Sequence, residues 1–499
     1  MNPRTATSPF PAGRDEPVPA GAQRPHAGAV ETPGSVLVFF GDRVYKVRKP
    51  VELAGLDLRD RPARLAACEA EVVLNRRLAP DIYLGVADVI GPGGELCDHM
   101  VVMRRLPAAR RLSTLAENGA AAVAEIHSIA EVLAGFHARC ATSPRITAAG
   151  APDRLRARWD EHLAEVRRDG GTAVGAPLLD QVDRLAGRYL DGRGELLRER
   201  REAGRIRDGH GDLSAADTFC LDDGPRLLDC LESEAELRAA DVLADVAALA
   251  VDLEWLGRRD LARILLGRYR EIAGENHPRS LQDFYCGRRG DAALSDGVSA
   301  SRGRGGAAGR EVRVLAELAL ARLRQGRVRL VLVGGQRGTG KSTLAGGLAG
   351  AEGWTVLRFD VVAAARPAPP DRPDPAAGRG MPADAADAVH TELLRLAAAA
   401  LCRGESVIVD APWNRHSQRV EAAEVARQNV ADLVQLRCTP RPELGAGRPA
   451  SQPAAAAPGG GPTRLADSVS RVAPWPESSS IDTAATVAAA LHDARRAAA

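Results

Sequence analysis

Three carboxylates within one short run could manage a phosphate. Residues 208–221 read DGHGDLSAADTFCL, and the chain continues DDGPRLLDCLE. Asp212 follows a glycine, where the backbone can hold an exposed turn, and a carboxylate there can accept the proton of an attacking hydroxyl. Asp217 lies five residues on, and Asp229 ends the apolar pair Leu227–Leu228. Both offer oxygen ligands, and Mg²⁺ is held by one or two carboxylates together with phosphate oxygens. The plainer reading is a hairpin with polar turns, because Asp and Gly are common turn formers.

A second phosphate signal stands further along. GQRGTGKS, residues 335–342, fits G-x-x-x-x-G-K-[ST], with an apolar strand before it and a helical pattern after it. Gly335, Gly338 and Gly340 let backbone N–H groups turn inward around phosphate oxygens, and the helix opening at Lys341, Ser342 and Thr343 adds its dipole. Lys341 would reach the β- and γ-phosphates and Ser342 would ligate Mg²⁺. Two more acids end strand-like runs, Asp360 in WTVLRFD and Asp410 in SVIVD. Ligands bind at the carboxyl ends of such strands. Asp410 suits a Mg²⁺ role, direct or through water, and Asp360 suits a base for a second site; either could equally cap the segment that follows.

Elements must position these groups. SVLVFFGDRVYKVRKPV reads as a β-hairpin turning at Gly41–Asp42, which puts Lys46 mid-strand. A lone strand lysine is usually an edge or solvent-facing residue. Here an amphipathic helix follows, RPARLAACEAEVVLNRRLAP, expected to stop at Pro80 and carrying Glu69 and Glu71. A strand lysine paired with a helix glutamate is one way to hold ATP phosphates, and the two glutamates lie on different helix faces. Glu71 is the preferred partner. ELCDHMVVMRRL reads as another strand, and residues 121–139 and 153–204 read as mostly helical.

The bulk numbers bound the rest. The chain has 499 residues with 45% hydrophobic and 26% charged, which indicates two or three globular domains. Residues 1–33 are Pro/Gly/Ala-rich and are expected to be disordered, with no signal peptide. Residues 34–290 form a first domain, 291–310 a Gly/Arg/Ser-rich linker, and 311–499 a second, α/β domain containing a low-complexity run at 441–464 and an Ala-rich terminal helix after Ile481. No internal repeat is seen. A net charge of +2 gives no reason to expect nucleic acid, and Arg198, Arg200 and Arg201, interleaved with Glu199 and Glu202, read as a solvated helix face. The eight cysteines are scattered with no C-x-x-C pair, so they read as reduced thiols of a cytoplasmic protein rather than a zinc site. No run approaches the roughly 18 apolar residues of a membrane helix.

Residues 35–285 resemble the aminoglycoside phosphotransferase-like branch of the protein-kinase-like fold, on VYKVRKP, CEAEVVLNRRLAPDIYLG, VVMRRL, AGFHA and DGHGDL…LLDCLE. The P-loop half resembles AAA-type small kinases that include gluconate-kinase-like and zeta-toxin-like proteins. The order of the halves, with RLAPDIYLG and DCLE, is similar to a bacterial family of bifunctional aminoglycoside phosphotransferase-like/ATP-binding proteins. The resemblance implies an α+β protein-kinase-like (aminoglycoside phosphotransferase-like) domain followed by an α/β P-loop NTPase domain. It puts the catalytic base on Asp212, the Mg²⁺-binding asparagine of H-G-D-x-x-x-x-N on Asp217, the second Mg²⁺ carboxylate on Asp229 and the phosphate-holding lysine on Lys46, while His210 shapes the loop.

This chain departs from the pattern in four places. Asp217 replaces an amide with a charge, which is expected to tighten Mg²⁺ or slow ADP release. Ser214 stands where relatives often have histidine. Ala363 and Ala364 follow Asp360 where relatives carry a basic residue. The arginine-bearing lid is reduced to the 441–464 run, with Arg441, Arg448 and Arg464 as its arginines.

The expected activity is ATP- and Mg²⁺-dependent phosphate transfer to a hydroxyl of a small acceptor, a sugar, amino sugar or aminoglycoside-like molecule. Neither nucleic acid nor membrane is an expected partner, and the oligomeric state is left open. Asp245 and Glu254 are candidates to line the acceptor pocket. The alternative is an ATP-sensing regulatory protein whose first domain is a pseudo-kinase, favoured by Asp217 and the altered lid.

Overall fold

Six residues on either side of a two-residue turn set the frame of the first half. β2 (Ser35–Phe40) and β3 (Arg43–Arg48) pair antiparallel with Leu37 opposite Lys46, and Gly41 turns the chain at φ +59°. β1 (Gly28–Glu31) adds to the free edge of β2. A computed structural model describes residues 28–53, 56–232, 235–288, 305–365, 383–439 and 474–498. Residues 1–27, most of the expected linker and the 441–464 run lie outside them.

After a short ribbon, β4 (Glu52–Leu53) with β5 (Leu56–Asp57), helix α1 covers Arg61–Asn75. Asp60 caps it by accepting the Ala63 N–H at 2.8 Å, and the helix ends before Pro80 is reached. Its buried residues Arg64, Ala67, Cys68, Glu71, Val72 and Asn75 recur at helical spacing and form the stripe that faces the sheet. Glu71 lies in that stripe and Glu69 is exposed. The hairpin of β6 (Tyr83–Ile90) and β7 (Leu96–Arg104) completes a five-stranded antiparallel sheet in the order β1-β2-β3-β7-β6. Leu37, Val44, Cys68, Val72, Tyr83 and Met103 pack between sheet and helix. Burying each larger apolar side chain contributes about 1.5–3 kcal/mol.

A helical layer follows: α2 (Leu112–Glu117), α3 (Val123–Arg139), α4 (Pro144–Ala148), α5 (Pro152–Val174), α6 (Ala176–Gly192) and α7 (Gly194–Glu202). β8 (Ile206–Asp208) leads into the His-Gly-Asp loop. A second hairpin, β9 (Thr218–Leu221) and β10 (Gly224–Leu227), leads out of it. α8 (Ala235–Arg238), β11 (Ala239–Asp241, paired with β8), α9 (Val242–Trp255) and α10 (Arg259–Ile272) close this unit.

The second half is built on a five-stranded parallel sheet, in the order β13 (Thr355–Arg358), β14 (Val407–Asp410), β12 (Arg329–Gly334), β15 (Asp432–Thr439), β16 (Ser479–Asp482). β12 is buried along its whole length, as a central parallel strand covered on both faces must be. Helices Lys341–Glu352, Phe359–Ala364, Ala383–Leu401, His416–Gln428 and Val487–Ala498 accompany it. The chain divides into two compact units. One takes its described residues from 28–184, 197–277 and 282–323, and the other comprises 185–196, 278–281 and the residues from 324 onward.

Four expectations need correcting. Gly28–Glu31 is a strand, so order begins inside the segment read as disordered; the GAVE sequence gains ladder bonds from β2 that composition does not reveal. A helix starts at Gly305, inside the expected linker. Asp360 does not end its strand: β13 stops at Arg358, opposite Asp410, and Asp360 falls in the first turn of the next helix. Arg200 is not solvated. It is 6% exposed and pairs with Asp241 at 2.6 Å and with Glu275, because α7 turns this one arginine inward. The eight cysteines are all free thiols. Among the described residues no helix is long and apolar enough to cross a membrane.

Candidate active sites

The His-Gly-Asp loop is held from below by a buried carboxylate. Asp245, on α9, accepts the backbone N–H of His210 at 2.7 Å and of Gly211 at 3.0 Å, and its Oδ2 meets His137 Nε2 at 3.1 Å. Burial alone would raise its pKa, but the His137 contact, with the backbone donors, outweighs that and holds it down at about 2. The glycines permit the approach. A Cβ on Gly209 would lie 2.5 Å from Asp245 Oδ2, and Gly211 sits at φ +85°. Asp245 is therefore engaged by the loop and by His137. Glu254 is likewise engaged, by Arg322.

His210 is fully buried. The Asp212 N–H donates to its Nδ1 at 3.3 Å, which places the ring proton on Nε2, facing the Leu228 carbonyl at 3.1 Å. Burial pushes its pKa down, so it is neutral and shapes the loop. Asp212 is thereby presented, half-buried, to a cleft of about 640 Å³ in the same unit.

The β9–β10 hairpin closes the gap in sequence between the other two acids. Thr218 pairs with Leu227, and the Leu228 N–H donates to the Asp217 carbonyl at 2.9 Å, which brings Asp217 and Asp229 side by side. Ser214 Oγ donates to Asp217 Oδ2 at 2.6 Å, while Oδ1 is buried with no partner. Burial first, then the charges of Asp229 and Asp212, push the Asp217 carboxyl up to about 7, against the Ser214 hydrogen bond and the Arg111 charge. Asp229 sits at φ +61°, a strained backbone for a non-glycine residue, with its N–H on Tyr83 Oη at 3.3 Å.

Across the cleft, Lys46 Nζ bonds Glu71 Oε1 at 2.8 Å and Asp229 Oδ1 at 3.4 Å. Burial would lower its pKa, but these two carboxylates hold it above the usual lysine value. The Lys46 charge in turn lowers Asp229. The structure thus brings Lys46, Glu71, Asp212 and Asp229 to one cleft, with Asp217 beside Asp229.

Among the described residues no three His, Cys, Asp or Glu side chains form a ready metal cage. The fit to Mg²⁺ rests instead on two adjacent carboxylates, one with an orphaned oxygen. That suits an ion which takes its remaining ligands from phosphate and water.

Sequence reasoning missed several residues here. Arg48 and Glu232 line the cleft, as do Thr32, Gly34 and Ser35 of the β1–β2 turn. Thr32 Oγ1 locks that turn by accepting the Ser35 N–H at 2.9 Å. The signal was available in TPGS, a turn sequence between two alternating runs. Arg77 also went unread; it donates to the Gly209 carbonyl at 2.8 Å and to Cys230 Sγ at 3.1 Å.

In the other unit, Gly335, Gly338 and Gly340 all have positive φ, and a Cβ on Gly335 would meet the Cys438 carbonyl at 2.7 Å. Lys341 Nζ folds back on the Gln336 carbonyl at 2.8 Å, and Ser342 Oγ donates to Asp410 Oδ2 at 2.6 Å. Burial lowers the Lys341 pKa, opposed by Asp410. Thr343 lines a small cavity of about 120 Å³ with Gly340 and Thr483. Asp360 is exposed and accepts from Arg358 at 2.9 Å and from the Val361 N–H at 3.0 Å, as a first-turn residue within its own segment does.

Residues 330–459 match the family model described as an AAA domain. An uncharacterized protein of Mycobacterium tuberculosis is 38% identical over 413 residues, 82% of this chain and 83% of the relative. Its counterpart in Mycobacterium bovis aligns equally. The chain belongs to their family. The first unit sets a five-stranded antiparallel sheet beside a helical layer, and the second carries the Gly335–Ser342 loop between β12 and its following helix on a parallel sheet. Among solved structures, the chain is similar to a choline/ethanolamine kinase family protein from Mesorhizobium loti at 14% identity, covering 62% of this chain and 96% of that one with a TM-score of 0.37. It is similar to aminoglycoside 2′-phosphotransferase-IIIa in its GDP complex at 17% identity, covering 61% and 94% with a TM-score of 0.34. It is also similar to a sugar kinase from Janibacter at 20% identity, covering 34% and 93% with a TM-score of 0.27.

Proposed function

We propose that this family member is an ATP- and Mg²⁺-dependent phosphotransferase acting on a hydroxyl of a small molecule such as a sugar, amino sugar or aminoglycoside-like compound. The observation that carries the reading is Lys46 Nζ held between Glu71 and Asp229 in the cleft that Asp212 also lines. The acceptor oxygen attacks the γ-phosphorus in line as the bond to the β-phosphate oxygen breaks and ADP departs with that electron pair. Asp212 orients the hydroxyl and takes its proton. Lys46, steadied by Glu71, turns from Asp229 to the nucleotide phosphates. Asp217 and Asp229 are the residues that would hold Mg²⁺, which supplies charge neutralisation at the phosphate oxygens when bound. In the P-loop unit, Gly335, Gly338, Gly340, Lys341, Ser342 and Thr343 cradle a second nucleotide, with Ser342 and Asp410 toward its metal and Asp360 as a base for a second acceptor.

A panel of sugars, amino sugars and aminoglycosides offered to the wild type, Asp212→Ala and Lys341→Ala tests this. Acceptor-dependent ATP turnover lost in Asp212→Ala supports it; turnover untouched by that change refutes it. One observation favours a second reading, ATP sensing by a pseudo-kinase: the Asp217 carboxyl is pushed up to about 7 by its buried, acidic surroundings, which opposes its ionisation. Acceptor-independent ATP binding that disappears only with Lys341→Ala would favour that reading.

A further inference from the structure

Arg48 stands two residues beyond Lys46 on β3, so the two side chains leave the strand on the same face. They divide Glu71 between them: Lys46 takes Oε1 at 2.8 Å and Arg48 Nη2 takes Oε2 at 2.5 Å. The same Nη2 also bonds Glu232 Oε1, three residues past Asp229. Both Arg48 and Glu232 line the cleft and are largely buried, with side chains 8% and 14% exposed. Arg48 thereby ties helix α1 to the chain that carries Asp229. That chain is also anchored by the Cys230 N–H on Asn75 Oδ1 at 2.9 Å, the Leu231 N–H on the His210 carbonyl at 3.1 Å, Arg77 on Cys230 Sγ at 3.1 Å and Lys46 itself on Asp229. When Lys46 leaves Asp229, the Arg48 bridge from Glu71 to Glu232 remains.

The electrostatics give this link a task. Lys46 bridges Glu71 and Asp229, and to grip a phosphate it must turn away from at least one of them. Glu71 is fully buried, and a buried carboxylate left without its cation is strongly disfavoured. With Arg48 on its other oxygen, Glu71 stays paired while Lys46 moves. Arg48 suits this because the two N–H groups of its Nη2 diverge in the fixed guanidinium plane, one toward each carboxylate, which a rotating lysine ammonium does with less directional fit.

We propose that Arg48, acting through Glu71 and Glu232, is a positioning residue of the nucleotide site: it keeps α1 and the Asp229 segment docked so that Lys46 can exchange Asp229 for a phosphate. The inference rests on the reading of this cleft as a nucleotide site.

The test uses the full chain carrying Lys341→Ala, to suppress the P-loop contribution, with MgATP binding followed by calorimetry. Arg48→Gln is expected to weaken MgATP by about tenfold or more, Arg48→Lys to recover part of that loss, and Glu232→Gln to weaken it by about threefold. Adding Glu232→Gln to Arg48→Gln is expected to cost nothing further, because the bond is already gone. Glu232 is the less buried partner, so its variant keeps the test decisive if Arg48→Gln fails to fold. MgATP binding by Arg48→Gln, or by Glu232→Gln if only that variant folds, within twofold of the parent while Lys46→Ala has lost it overturns the role of Arg48 alone. Independent, multiplying losses in the Arg48 and Glu232 variants also overturn it. Binding unchanged even by Lys46→Ala overturns the reading of the cleft, and the proposal with it.

Discussion

Replacing Asp245 by asparagine removes one charge and almost no volume, and it strikes the support of the candidate catalytic loop. The wild-type carboxylate takes the N–H groups of His210 and Gly211 at 2.7 and 3.0 Å and touches His137 Nε2 at 3.1 Å. Its pKa falls from 3.8 to about 2. A shift of that size corresponds to roughly 2–3 kcal/mol of stability. Because the folded value is the depressed one, this contribution is fully present above the unfolded value of 3.8 and is lost as pH falls through about 2. An asparagine keeps one acceptor oxygen but turns its NH₂ toward a backbone donor, so Asp245→Asn is expected to cost about 2–4 kcal/mol at pH 7. The gap between wild type and variant should narrow as pH drops from about 5 toward 2. Pulsed hydrogen exchange of the peptide spanning residues 206–216 across a urea series reads this in the first unit alone, which a single global melt of a two-unit chain does not. A gap under about 0.5 kcal/mol at pH 7, or one that does not change with pH, would refute the argument.

Two further outcomes are expected. Asp217→Asn removes the carboxylate with the orphaned oxygen and puts an amide in its place; in the Lys341→Ala chain, the Mg²⁺ concentration for half-maximal ADP binding followed by calorimetry should rise about tenfold, and an unchanged midpoint would remove Asp217 from the metal site. Gly211→Ala forces a side chain into φ +85° with Arg238 Cγ 3.0 Å away, so urea unfolding of the first unit should show a loss of about 1–3 kcal/mol.

What was legible depended on whether local pattern or tertiary packing decides the matter. Lys46 and Glu71 were readable because a hairpin and a helical stripe fix which way each faces. Asp229 was readable as an acid ending an apolar run, the resemblance added its second-metal-carboxylate role, and the hairpin that brings it beside Asp217 was foreseen only as the plain alternative. Arg48 hid in KVRKP, where a run of cations reads as solvated; only the fold turns it onto Glu71. The bonds of Asp245 to the loop went unread for a related reason. A helix acid can face a pocket, solvent or a loop, and nothing along α9 says that two N–H groups of a distant turn will cover it. The strand at Gly28–Glu31 was lost in a Pro/Gly/Ala-rich terminus, since its order comes from pairing with β2 rather than from its own residues.

The central claim is that the first unit transfers phosphate through Asp212. It is met most directly by comparing Asp212→Asn with its parent in the Lys341→Ala chain, measuring both acceptor phosphorylation and MgATP binding. The account predicts that phosphorylation falls by about 10²–10⁴-fold while the MgATP dissociation constant stays within about threefold. Phosphorylation that survives Asp212→Asn, or that is already absent in the Lys341→Ala parent, would contradict it.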